Sequence, residues 1–246
     1  MSTPRLRIFA GPNGSGKTTI IRQIPEEIHL GYLVNADDIE KILTEKGAYP
    51  LNGHQVFVDT GKIQDYFLRE GFSKEKIGNT DFISEIDIAD NCVTIPAPYL
   101  NSYVAADIAG FLRKCHIEKL HSFTFETVLS HPSKLDLVKF AKSKGYRIYL
   151  YYIATDSVEI NVNRVAIRVA QSGHPVRERS VRERYFKSLE LLYDVIKLSD
   201  RAYLFDNSGK EAFFVAEITR GEEVELRCQS EEVPEWFITY VVNRSN

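Results

Sequence analysis

Gly11-Pro12-Asn13-Gly14-Ser15-Gly16-Lys17-Thr18 fits G-x-x-x-x-G-K-[ST], the spacing of a P-loop. Residues of these types do one kind of chemistry together. Glycines let the backbone curl so that successive N–H groups and a helix N-terminus point at one negative charge, and larger side chains would obstruct the approach. Lys17 is expected to reach β- and γ-phosphates as a point charge, and the Thr18 hydroxyl is the expected protein ligand to Mg²⁺. Gly11, Asn13, Gly14, Ser15, Gly16, Lys17, Thr18 and Thr19 therefore form the predicted phosphate-binding set.

That set works only if a strand delivers it and a helix receives it. Residues 6–10 are a short apolar run suited to a buried strand, and residues 19–24 continue as a helix until Pro25. Residues 30–35 read as a second strand, followed by a helix opening at Ala36-Asp37-Asp38. Two roles fit these carboxylates equally: capping helix N–H groups, or facing a ligand at the carboxyl end of a strand. Residues 121–125 alternate as a strand and deliver Glu126, a second acidic residue at a strand terminus, before Pro132 starts another helix. Residues 146–154 form the most clearly buried strand. Asp156 and Ser157 can cap the next helix, on which Arg164 and Arg168 lie four apart on one face. Gly173-His174-Pro175 breaks that helix, and Arg177, Arg179, Arg182, Arg184 and Lys187 follow. With Glu178, Glu183 and Glu190 interleaved, a solvated helix face is the simplest reading of any one of these arginines. Residues 201–206 read as a strand ending in the turn Asn207-Ser208-Gly209, and a hairpin is expected across Arg220-Gly221-Glu222. The tail from Pro234, with Trp236, Phe237, Ile238 and Tyr240, is expected to pack down.

Alternating strands and helices predict an α/β fold: a three-layer α/β/α arrangement on a mainly parallel sheet, with a C-terminal β-hairpin. At 246 residues the chain reads as a single P-loop domain with an insertion at about 47–98, where a helix over 56–67 and a hairpin turning at Asp90-Asn91 are expected. A long excursion of this kind serves as a lid, a substrate cover or an interaction surface. A net charge of -3 supplies no overall basic field, so nucleic acid is a disfavoured partner. No stretch is apolar enough to span a membrane, and the start lacks the pattern of a secretory signal. Cys92, Cys115 and Cys228 are odd in number and far apart, which fits free thiols in a reducing cytoplasm.

Gly-Pro-Asn-Gly-Ser-Gly-Lys-Thr-Thr, Asn35-Ala36-Asp37, Phe125-Glu126-Thr127 and the Arg164/Arg168 helix together resemble the zeta-toxin family of P-loop kinases, over residues 5–46 and 100–218. The resemblance implies ATP- and Mg²⁺-dependent phosphorylation of a hydroxyl on a small molecule, a UDP-activated amino sugar in the family, and an antitoxin protein as partner. It implies that Asp37 activates the acceptor hydroxyl, that Glu126 stands near substrate or Mg²⁺, and that Arg164 clamps phosphate. Arg168, Arg182 and Arg184 compete for the second clamping position, and Asn207 resembles a position near the nucleotide. The catalytic set is thus Lys17, Asp37, Glu126, Arg164 and Arg168. Phosphoryl transfer needs little beyond positioning and charge neutralisation, which this set could supply. Two rivals are a nucleotide-dependent switch ATPase and a polynucleotide kinase tracking phosphates along residues 177–184. The first expects an apolar strand ending in Asp-Glu, and Phe125-Glu126 lacks the Asp.

Overall fold

The computed structural model describes residues 3–22, 28–171 and 176–245. In chain order the elements are β1 (Arg5–Ala10), α1 (Lys17–Arg22), β2 (Tyr32–Val34), α2 (Ala36–Lys46), β3 (Ala48–Pro50), α3 (Thr60–Arg69), α4 (Ser73–Ile77), β4 (Asp87–Ala89), β5 (Cys92–Thr94) and α5 (Ser102–Glu118). There follow β6 (Phe123–Thr127), α6 (Ser133–Ser143), β7 (Arg147–Ala154), α7 (Val158–Ala170), α8 (Glu178–Leu198), β8 (Arg201–Asp206), β9 (Phe213–Thr219) and β10 (Glu223–Leu226). The expected end of α1 near Pro25 and the break at Gly173-His174-Pro175 lie outside the described residues. The chain divides into two compact units, Met1–Leu30 with Thr124–Asn246, and Gly31–Phe123.

In the first unit the strands run in the order β10-β9-β8-β7-β1-β6. β1 pairs parallel with β7 and β7 parallel with β8, while β8/β9 and β9/β10 are antiparallel. Strands buried on both faces read as continuous apolar runs, and Leu6, Ile8, Phe9 and Ala10 are all at most 1% exposed. Ile8 lies opposite Leu150, and Leu150 opposite Ala202, so the sheet centre is apolar across three strands. The expected α/β architecture and C-terminal hairpin are both present. The α7 cap is Ser157, whose side chain accepts from Glu159 N–H; the Asp156 amide instead donates to Ser208 Oγ at 2.7 Å. The tail packs down as expected, with Trp236, Phe237 and Val241 buried.

The second unit rests on α5, which buries Val104, Ile108, Phe111, Leu112 and Cys115 along its length. Ile39 and Leu43 of α2 pack there too. β4 and β5 form the expected hairpin, with Asp90 and Asn91 both at positive φ as a two-residue turn requires. α3 starts at Thr60, later than the apolar pattern suggested, because the Asp59 side chain accepts from Lys62 N–H and fixes the cap. A row of hydrogen bonds runs from Tyr49 Oη to His54 (2.8 Å), His54 to His116 (3.2 Å) and His116 to His121 (3.3 Å), with the Tyr32 ring stacked on His116.

Candidate functional site

β1 ends at Ala10 and α1 begins at Lys17, so the glycine-rich loop connects strand to helix as its motif requires. None of its three glycines can be replaced without conflict: a Cβ on Gly11 would stand 2.0 Å from Ile153 O. Gly14 has φ +80° and a Cβ there would stand 2.8 Å from Asn161 O; Gly16 has φ +94° and its Cβ would stand 2.2 Å from Asn207 Nδ2. The latter two contacts come from residues that hold the loop. Asn207, just past β8, donates from Nδ2 to Ser15 O at 2.8 Å, and Asn161 of α7 donates from Nδ2 to Asn13 O at 2.6 Å.

Lys17 is 7% exposed, and its Nζ donates to Gly11 O at 2.8 Å and Pro12 O at 2.9 Å. Its neighbour Thr18 is exposed, with Oγ1 3.4 and 3.3 Å from the two carboxylate oxygens of Glu126 at the end of β6. Thr19 is exposed on the next helical position. Ser15 Oγ and Asn13 Oδ1 are buried without a hydrogen-bond partner among the described residues. An ammonium, an unused hydroxyl and a curled glycine loop fit an oligophosphate, and a hydroxyl beside a carboxylate fits the hard-oxygen preference of Mg²⁺.

Arg164 donates from Nη1 to Asn207 O at 2.7 Å and from Nη2 to Gly209 O at 3.2 Å, which ties α7 to the loop after β8. Arg168 is exposed and makes no ion pair among the described residues. Arg182 is committed elsewhere: it pairs with Glu159 at 2.6 Å and Glu178 at 2.8 Å. Arg184 is half-buried and has no ion pair among the described residues. Asp37 and Asp38 belong to the second unit and are exposed in the first turn of α2. Neither caps that helix, since the Asn35 side chain does so by accepting from Asp37 N–H at 2.9 Å. The capping role weighed for them in the sequence therefore falls to their neighbour.

Three residues of the loop's support were not legible beforehand. Asn161 is fully buried, accepts from Thr155 Oγ1, and the Thr155 carbonyl accepts from Tyr185 Oη at 2.7 Å. In the sequence Asn161 is one polar position among several on α7. Only the adjacency of β7 to β1 brings the start of α7 against the loop. Behind it, burial raises the Asp156 carboxyl above its ordinary range, aided by the charges of Asp206 and Glu235.

A family model described as Zeta toxin matches residues 102–214. That span holds Glu126, Arg164, Arg168 and Asn207, and leaves the P-loop and Asp37 outside it. An uncharacterised protein of Haemophilus influenzae is 39% identical over 81 residues, covering 33% of this chain and 55% of that protein. The crystal structure of AvrRxo1-ORF1:AvrRxo1-ORF2 with sulphate ions aligns at 15% identity and TM-score 0.53, over 92% of this chain and 61% of that chain. The AvrRxo1-ORF1:-ORF2 structure with ATP aligns at 16% identity and TM-score 0.51, with the same coverage of 92% and 61%. The chain thus spans little more than half of these proteins' lengths, and the structural likeness is one of fold. The resemblance to the zeta-toxin family read from the motifs is thereby borne out by the family model over residues 102–214.

Proposed function

We propose that this protein is an ATP- and Mg²⁺-dependent small-molecule kinase of zeta-toxin type, which transfers the γ-phosphoryl group to a hydroxyl of a sugar nucleotide such as a UDP-amino sugar. The observation that carries this reading is the Thr18 hydroxyl beside both oxygens of Glu126, one residue from a P-loop lysine. In this reading Thr18 and Glu126 hold Mg²⁺, whose chemistry when bound is to neutralise phosphate charge. Lys17 exchanges its loop carbonyls for phosphate oxygens, and Ser15 supplies its unused hydroxyl. Asn207 and Asn161 keep the loop's amides in place. Arg164 serves as a phosphate clamp, with Arg168 or Arg184 as the second arginine, because Arg182 is held by two carboxylates. Asp37, with its carboxylate free of any capping duty, takes the proton of the acceptor hydroxyl. The whole chain acts as one kinase domain in which residues 47–98 are an insertion. An antitoxin protein as partner and a cytoplasmic place of action go with the same reading; no helix among the described residues is long and apolar enough to cross a membrane.

The test is phosphoryl transfer from γ-labelled ATP to a panel of UDP-amino sugars in the presence of Mg²⁺. Labelled sugar is the expected product. Lys17→Ala should lower turnover by roughly 10²–10³, the effect of losing one preorganised charge-stabilising donor. Asp37→Ala should abolish transfer while calorimetry still shows ATP binding. Unchanged turnover in Asp37→Ala removes the acceptor base, and ATP hydrolysis indifferent to every sugar favours the switch ATPase.

A further inference from the structure

The C-terminal tail reaches the phosphate loop through a short series of hydrogen bonds within the first unit. Trp236, the single tryptophan of the chain, is 3% exposed, and its Nε1–H donates to Asp206 Oδ2 at 2.8 Å. The other carboxylate oxygen of Asp206 accepts from Ser208 N–H at 2.8 Å. Ser208 Oγ accepts from Asp156 N–H at 2.7 Å, and Asn207 N–H donates to Ala154 O at 2.9 Å. Between these fixed neighbours Asn207 aims its amide at Ser15 O.

Asp206 is 1% exposed and has no cation as ion-pair partner among the described residues. A buried carboxylate is costly unless N–H donors satisfy it, and here an indole and a backbone amide do so. That arrangement is directional. Removing the indole N–H leaves Oδ2 short of a partner, so the carboxylate must turn or recruit water, and the 206–208 turn follows it.

We propose that Trp236 and Asp206 are positioning residues of the nucleotide site: the tail's indole fixes the Asp206 carboxylate, which fixes the turn that holds Asn207 on the P-loop. This rests on the P-loop binding nucleotide, as proposed above. Neither residue touches the nucleotide; both act through Asn207 and the Ser15 carbonyl. The tail is itself anchored, since Trp236 lies 6.1 Å from the Tyr152 ring and Arg244 Nη1 donates to Glu190 O at 2.7 Å. The tail is thus held against β7 and α8 as well as against Asp206.

The experiment measures Mg·ADP affinity by calorimetry for the wild-type chain, Trp236→Phe, Asp206→Asn and Val241→Ala, well below each melting temperature. Trp236→Phe keeps an aromatic ring and deletes the donor together with part of the indole's buried volume. Val241→Ala loosens the same buried tail without touching Asp206, so it reports what tail packing alone contributes. Trp236→Phe and Asp206→Asn should weaken ADP binding roughly three- to tenfold, the effect of one lost hydrogen bond, with Val241→Ala like wild type. Emission of the sole tryptophan should also shift as ADP is titrated into the wild-type chain. Equal affinity in Trp236→Phe and wild type would overturn the positioning role and leave nucleotide binding intact. A loss in Val241→Ala as large as that in Trp236→Phe would reduce the role to packing. No ADP binding by the wild-type chain would remove both this inference and the kinase reading.

Discussion

Gly16 concentrates the demands that the site places on single residues. Its φ of +94° is costly for any side chain, by about 1–2 kcal/mol for an L-residue in a left-handed conformation. A Cβ would also collide with Asn207 Nδ2 at 2.2 Å, the atom that holds Ser15. Gly16→Ala should therefore lower the melting temperature and the nucleotide affinity together. Gly53 is the control: nothing lies within 4 Å of its Cβ position, and it does not adopt a positive φ. Gly53→Ala should leave both quantities near wild type, and equal losses at the two glycines in scanning calorimetry would refute this account. At this scale the sequence was informative wherever chemistry demands one residue type. Gly14, Gly16, Lys17 and Thr18 announce themselves by spacing. Asn161 and Thr155 do not, because a buried amide that bridges a loop has the same code as a polar helix position.

Among the elements, α5 and its surroundings carry a built-in sensitivity to acid. His54, His116 and His121 are all less basic than ordinary imidazoles. Burial is the main cause for each; at His116 the positive charge of either neighbouring histidine and of Lys119 adds to it, and the value falls from 6.5 to about 3. Lys119 acts on His121 in the same sense. Above pH 6.5 folded and unfolded chains both hold these rings neutral, so they contribute no pH dependence. As pH falls below 6.5 the unfolded chain takes up protons that the folded chain refuses, and stability is lost progressively toward pH 3. The urea midpoint should accordingly drop between pH 7.5 and pH 5, a window above the titration of ordinary carboxylates. A flat midpoint across that window would show that the rings charge freely in the fold. Apolar residues at helical spacing explain the buried face of α5, and local capping explains the shifted start of α3 at Asp59. The histidine row was invisible because His54 and His116 are brought together across 62 positions by the packing of the second unit.

For the molecule as a whole, charge decides which partners are attracted. The net charge is -3, and the basic stretch at the start of α8 is partly neutralised within the chain, with Arg179 on Glu183 and Arg182 on Glu159 and Glu178. Oligonucleotides, single-stranded or duplex, should therefore neither bind at physiological salt nor accept label from ATP. A steep loss of oligonucleotide binding with rising salt in a gel-shift titration would instead restore the phosphate-tracking reading. The parallel centre of the sheet was legible because buried strands are mostly apolar, as at Leu6, Ile8, Phe9 and Ala10. The partition into two compact units was not, since nothing at Leu30 or Phe123 has the composition of a linker.

β10 closes the strand order of the first unit, and all four of its residues, Glu223, Val224, Glu225 and Leu226, are exposed. An open strand edge is a template on which another copy of the chain could zip. Here the template is four residues long and carries a carboxylate at every second position. A second copy laid along it would gain few hydrogen bonds and would have to desolvate Glu223 and the Glu225–Arg227 ion pair. The last strand of the sheet is thus a poor template for self-association, at no cost to the sheet's buried face.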